Sequence, residues 1–413
     1  MASWKIRLSL FINYYVFAIL LNSSGVAILN VQNSFHVTAS AASWIDPCKD
    51  LSIAIVSFLV ASWIARFGYK RAMMTALGVV AIFCFIIPNT PHFLAIKLLF
   101  VAVGACFALI KMSVYSIIGI ITKDAKEHIS LMNFIESFFM IGNLTLYFYF
   151  ASFTDSNHPE SVSWLNAYYL LGALSVLALL LLMGAPLDES AAKSDNNSIF
   201  EEFADMGRLF VRPVVLAFIV SAFFYVLIEQ SIQNFLPTFN NKVLLLPAAL
   251  SIQLGSILAA STAVGRFLAG IVLKKIHWFY VLMGCLVLAA LLVLVAIPLA
   301  KQATGKTFTG WGDAPLAAFV FPLIGLFLAP VYPSINSAIL SAVPKQQHGF
   351  MSGLIIIFSA IGGSTGSVLM GKMFEADKTG GQNAFYFTLL PIGILLVALM
   401  VFRRLQSKTP QLS

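Results

Sequence analysis

Twelve runs of mostly apolar residues, each near the ~20 that carry an α-helix across a bilayer, alternate with short polar connections in this chain. Their expected limits are 8–30, 44–64, 72–89, 93–121, 131–153, 164–185, 212–236, 247–273, 276–300, 314–342, 349–371 and 383–402. Of the 413 residues 60% are hydrophobic and only 10% charged, too few to give a water-soluble globule its polar skin. The runs are continuous and lack the alternation of a lipid-facing strand, which excludes a β-barrel and predicts an all-α membrane protein with 12 transmembrane helices.

Lys5 and Arg7 before the first run imitate a signal peptide, and "TASAAS" supplies small residues at Ala39 and Ala41. The run is longer than the 7–15 or so residues of a signal core, so it reads as an uncleaved first helix. With the first loop outside, the inner connections and termini hold sixteen Lys/Arg and the outer ones five, Lys242, Lys301, Lys306, Lys372 and Lys378. This asymmetry places both termini in the cytoplasm. The formal +8 charge is then a topology signal facing anionic lipid, and no nucleic-acid partner is expected. Short connections and a basic inner face suggest a bacterial inner membrane. Cys48, Cys84, Cys106 and Cys285 lie in apolar runs and form no CxxC pair, so neither a disulfide framework nor a thiolate metal site is expected.

The longest connection, 186–211, divides the chain into six-helix bundles at 1–185 and 212–413. Within it, "SIFEEFADMGRLF" spaces Ser198 and Glu201 as a capping box and puts Ile199, Phe200, Phe203, Met206 and Phe210 on one face, predicting a short helix on the inner membrane surface. After the second run the chain reads "ASWIARFGYKR" and after the eighth "GIVLKKI", an echo aligning Ala61, Ile64 and Arg66 with Gly270, Leu273 and Lys275. Six helices plus six, with such an echo, is the repeat plan of carriers whose site lies between the halves near the midplane.

At this point the sequence resembles the major facilitator superfamily. That family's signature after its second span, roughly Gly-x-x-x-Asp-Arg-x-Gly-Arg-Arg, is represented by Ala61, Arg66, Gly68, Lys70 and Arg71, with Ala61 and Ala65 departing from it. "FFYVLIEQSIQNFLPTF", "GRFLAG" at 265–270, "GLFLAPVYPS" at 325–334 and "ESFFMIG" are similar to the branch of fucose, galactose and glucose proton symporters. The resemblance implies the two-bundle fold, alternating access, and gating roles for Arg66, Gly68, Lys70, Arg71 and Arg266.

An ionisable residue at hydrocarbon depth costs about 2.5–3.5 kcal/mol on insertion scales and calls for a partner or a function. Lys111 lies twelve residues before Lys123 and Glu136 nine after Glu127, so both reach similar depth on consecutive antiparallel helices. They are expected to face each other, as a fixed packing pair or as a pair that substrate or a proton breaks. In "WIDPCKDLSIAIV", Asp46 and Lys49 read as an i,i+3 pair at the outer rim, while Asp50, a turn deeper, is a candidate proton acceptor. The seventh run carries Glu229, Gln230, Gln233 and Asn234 beside Tyr225 and Phe235, a mixture of amides, acid and aromatic faces suited to hydroxyl recognition or to polar helix packing. Asn22, Gln253 and Asn336 are further candidates. Asn13, Asn133 and Asn143 read as interhelical hydrogen-bonding groups.

The six histidines fall in loops or at run ends, so proton coupling, if present, rests on Asp50, Glu136 and Glu229. Pro330 and Pro333 predict a kink in the tenth run, and "SAIGGSTGS" a small-residue face in the eleventh. "ATGKT" at 303–307 ends like a P-loop but lacks the first glycine and a preceding strand. No catalytic motif, cofactor or metal site is expected. The expected function is proton-coupled uptake of a small polar solute, a sugar or sugar derivative, by a monomer. The alternative is a proton antiporter expelling organic anions or amphipathic compounds.

Overall fold

The computed structural model describes residues 4–60, 64–122, 125–185, 212–302, 308–342, 348–377 and 380–406. These are helical apart from their turns, with no strand among them. In chain order the first helices are α1 (Trp4–Asn22), α2 (Ser24–Phe35), α3 (Ala39–Ala42), α4 (Ile45–Val60), α5 (Ile64–Phe67), α6 (Tyr69–Ile86), α7 (Phe93–Ile121), α8 (Ala125–Phe153) and α9 (Ala167–Met183). There follow α10 (Pro213–Lys242), α11 (Ala248–Gln253), α12 (Gly255–Val272), α13 (Trp278–Gln302), α14 (Leu316–Val320), α15 (Ile324–Leu328), α16 (Val331–Ala342), α17 (His348–Ala376) and α18 (Leu389–Gln406). Helices are the natural product of this sequence in lipid, because each apolar segment must satisfy its backbone groups internally.

Among the described residues, eleven helical segments are long and apolar enough to cross a membrane. The remaining expected span, the second at 44–64, begins as α4, which has 16 residues and carries Asp46, Lys49 and Asp50. Several spans are broken. The first divides at Ser23, where Ser23 Oγ donates to Leu20 O (2.8 Å) and Asn22 Nδ2 to Ala18 O (2.8 Å). Such side chains compete with the helical ladder and mark its interruption. The tenth is split into α14, a 3₁₀ turn at Phe321–Leu323, α15 and α16. Pro322 and Pro330 stand at these breaks because proline has no N–H to give the ladder. The 186–211 connection with its expected surface helix, and the 303–307 stretch, lie outside the described residues.

The chain forms two compact units, Met1–His36 with Cys48–Asn197 and Val37–Pro47 with Ser198–Ser413. In the first, α1 packs on α8 and α9, and α6 on α7 and α9. Phe11 stacks on Phe138 with centroids 4.7 Å apart. A Cβ on Gly142 would lie 2.7 Å from Tyr15 O, so the bare glycine sets how closely α8 approaches α1. In the second unit α10 packs on α17 and α18, and α12 on α15. Ser231 Oγ donates to Gly366 O (2.9 Å) across the α10–α17 seam. The short α3 sits on α17, where Ser367 Oγ donates to Ser43 O (3.3 Å).

One connection of the second unit is built around a carboxylate. Asp313 accepts from Thr309 N (2.8 Å), Thr309 Oγ1 (2.9 Å) and Gly310 N (2.8 Å), and the neighbouring Trp311 Nε1 donates to Gln253 Oε1 (2.8 Å). The backbone hydrogen bonds from Thr309 and Gly310 hold the Asp313 carboxyl below its ordinary range. A depressed folded value means that the turn is favoured above the unfolded carboxyl's pKa of about 3.9 and loses that support as pH falls through the lower folded value. Trp311 emission, read as the difference between the parent and Trp311→Phe, is therefore expected to shift only below that range. Asp313→Asn is expected to abolish the acid step.

Candidate functional site

In the second unit a polar cluster forms where α10, α12, α16 and α17 bring side chains together. Tyr225 and Glu229 stand one turn apart on α10, and Tyr225 Oη donates to Glu229 Oε1 at 2.8 Å. Arg266 of α12 is close enough to Glu229 for their charges to interact. Tyr332 of α16 stacks on Tyr225 with centroids 5.5 Å apart and planes at 20°. Its hydroxyl lies 2.9 Å from Ser359 Oγ of α17. One turn beyond Tyr332, Asn336 keeps a buried Oδ1 without a hydrogen-bond partner among the described residues. An acid beside a cation, two stacked phenol rings and an unmatched amide oxygen can take a proton and hold a polar solute.

Of the expected site residues, Tyr225, Glu229, Asn336 and Arg266 thus meet in one place. Tyr332 and Ser359 join them without having been singled out. Tyr332 lies in "APVYPS", which drew notice for its prolines, yet its four-residue spacing to Asn336 is the signal that places both on one helix face. Ser359 carries no such signal. The rest of the α10 amides behave differently. Asn234 is fully buried, and its Nδ2 donates to Gln230 Oε1 (3.4 Å) and Ser367 Oγ (3.5 Å), so it faces the α17 seam. Gln230 and Gln233 are half-buried. Asn22 bonds its own helix at the Ser23 break, and Gln253 holds Trp311.

In the first unit Lys111 and Glu136 stand close enough for their charges to interact, without an ion pair between them. Tyr115 Oη instead donates to Glu136 Oε1 at 3.2 Å, and Lys111, exposed on α7, stands 6.0 Å from the Phe107 ring centroid. Tyr115 is one helical turn from Lys111, so both lie on the helix face turned toward Glu136. Tyr14 of α1 packs edge-on against Phe139 of α8 (6.0 Å). Asp50 pairs with Lys49 at 3.4 Å, with both side chains buried. Lys49 Nζ also donates to Leu21 O (3.2 Å), one of the carbonyls left open where α1 ends, so this cation serves the break in the first span. Asp46, fully buried, lies in the first turn of α4, where the helix dipole favours a negative charge.

The signature loop is partly described. Gly68 caps α6 at φ 96°, a conformation that costs other residues dearly and glycine little. Arg71 is exposed on α6 and Arg266 on α12; the Arg66 side chain lies outside the described residues. Lys70 Nζ donates to Ala185 O (2.6 Å) and Met183 O (3.4 Å), so it caps the C-terminal end of α9. Lys70→Met is expected to lower stability by about 0.3–1 kcal/mol, the usual worth of a cation at a helix C-terminus, and Lys70→Arg to retain most of it. Thermal melting of the purified variants measures both.

Helices long and apolar enough to cross a membrane, with charged and aromatic side chains meeting between them, are the architecture a solute carrier needs. The profile described as Major Facilitator Superfamily matches residues 8–367, and the chain belongs to that family. Among solved structures, a D-xylose-proton symporter aligns with TM-score 0.76 at 13% identity, covering 100% of both chains. A bacterial homolog of the human lysosomal transporter Spinster aligns with TM-score 0.75 at 15% identity, covering 99% of this chain and 98% of its own. The transporter FucP aligns with TM-score 0.61 at 15% identity, covering 98% and 99%. The staphylopine export protein of Staphylococcus aureus (strain Mu50) is 33% identical over 89 residues, a match spanning 22% of this chain and 21% of that relative's length. The protein is therefore an integral membrane transporter working by alternating access, and no enzyme.

Proposed function

We propose that this transporter moves a small polar solute, a sugar or sugar derivative, inward together with a proton. The observation that carries the reading is the Tyr225–Glu229 hydrogen bond beside Arg266 and under the Tyr332 ring. A protonated Glu229 no longer balances Arg266 and can donate where it accepted, so one proton changes both the charge and the hydrogen-bond direction of the cluster. The stacked tyrosines offer faces for sugar C–H groups, and Asn336, Gln230 and Gln233 offer amides for hydroxyls. Glu136, held by Tyr115, and Asp50, held by Lys49, are the second and third candidate proton sites. Arg66, Gly68, Lys70 and Arg71 keep their proposed gating role, which for Lys70 runs through α9.

The neighbouring folds support this reading, since they include symporters for D-xylose and fucose. The test is flux into proteoliposomes. Acid outside should raise solute entry and solute entry should alkalinise the exterior; entry that ignores the gradient refutes coupled uptake. A second reading, expulsion of organic anions in exchange for protons, rests on Lys111 lying outside ion-pairing distance of Glu136 and on the short stretch shared with the staphylopine exporter. It demands the opposite gradient dependence in the same vesicles. Both readings place the chain as a monomer in a bacterial inner membrane with cytoplasmic termini, which reporter fusions at each terminus would check.

A further inference from the structure

We propose that the end of the second unit where α12 turns into α13, beside the last turn of α18, is a binding surface for an anionic phospholipid headgroup. Three helix ends converge there. Trp278 of α13 meets Phe402 of α18 with centroids 5.9 Å apart. The Arg403 guanidinium lies 4.3 Å over the Phe279 ring and 4.8 Å over Tyr280, and donates to Tyr280 Oη at 3.2 Å. These contacts fix an arginine at the rim of an aromatic platform.

In the turn that leads into this platform Lys274 and Lys275 are exposed, and neither has an ion-pair or hydrogen-bond partner for its side chain among the described residues. Both lie just past α12, where the chain leads into the Phe279 and Tyr280 rings that carry Arg403; Arg404 next to it is exposed. The intervening His277 is committed locally, its Nδ1 accepting from Phe279 N at 3.3 Å. Exposed cations at one turn attract an anion.

The surroundings say which anion. Exposed Ile271, Val272, Ile276 and Val401 border the basic residues in sequence, so an anion that also carries acyl chains matches both the charge and the apolar surface. A phosphate on a two-chain glycerolipid supplies both, whereas a soluble phosphate supplies only the charge. Tryptophan and tyrosine at the same level favour the headgroup boundary, and a basic patch beside a membrane helix attracts anionic lipid by about 1 kcal/mol, or roughly fivefold in affinity, per lysine or arginine.

The full chain, delipidated in detergent and examined by native mass spectrometry, tests the proposal with phosphatidylglycerol and phosphatidylcholine of identical acyl chains as probes. The parent is expected to retain phosphatidylglycerol in preference. Lys274→Gln with Lys275→Gln should weaken that association by about fivefold per lysine, leaving phosphatidylcholine retention unchanged. Lys275→Glu alone, with Arg403 kept so that the aromatic platform stays intact, gives the same readout where the double variant melts early. Equal retention of the two lipids by the parent, or a preference undiminished in the variants, overturns the site. Competition by soluble glycerol phosphate at the concentration of the lipid overturns the lipid as its occupant.

Discussion

Glu229→Gln is expected to abolish accumulation against a gradient while leaving downhill exchange of solute intact. For one proton per solute, a pH difference of one unit supports about tenfold accumulation, since each factor of ten corresponds to about 1.4 kcal/mol; the variant should hold the inside and outside concentrations equal. The substitution keeps the size of the side chain, and its amide oxygen can still accept from Tyr225, which bonds Glu229 at 2.8 Å in the parent. What it removes is the exchangeable charge beside Arg266. Full accumulation by the variant would strip Glu229 of the coupling role and move attention to Glu136 and Asp50. Loss of exchange together with accumulation would instead mark Glu229 as part of solute binding.

The second large effect is mechanical. Gly366→Ala should destabilise the second unit by about 1–3 kcal/mol, the usual cost of forcing a methyl into filled space, or roughly 3–10 °C in melting temperature. The new Cβ would stand 2.3 Å from Leu227 O and 2.9 Å from Leu227 Cα, both backbone atoms of α10 that have no rotamer to change. Gly270→Ala is the control. Nothing lies within 4 Å of a Cβ at that position, so the same change should be neutral or stabilise by up to about 1 kcal/mol through helix propensity. Equal melting temperatures for the two variants would show that α10 and α17 can part without penalty.

How much of this was legible beforehand depends on which physical rule was in play. Hydropathy located the membrane helices because a bilayer admits few alternatives, and the family emerged from the signature after the second run. Helix interruptions were legible at Pro330 and not at Ser23, where the cause is a pair of small polar side chains bonding Ala18 O and Leu20 O. The Tyr225–Glu229 contact is an i,i+4 pair and could be read from spacing. Lys111 and Glu136 show the limit: residue counting puts the two within reach of each other's charge, but does not reveal that Tyr115, one turn from the lysine, makes the hydrogen bond to Glu136. Asn234, which looked like part of a binding surface, faces its neighbour α17 because rotation about the α10 axis decides that, and rotation is set by partners far away in sequence.

The glycines at the helix seams have a consequence for how each unit moves. Gly362 and Gly366 press against the Phe223 and Leu227 backbone and Gly265 against the Leu326 carbonyl, while Gly325 meets the Leu258 carbonyl together with the Thr262 and Leu258 side chains. Backbone atoms in such contact have no rotamer to change. A unit assembled in this way resists distortion at its glycine seams, whereas at Ser23, Pro322 and Pro330 the helical ladder is already open.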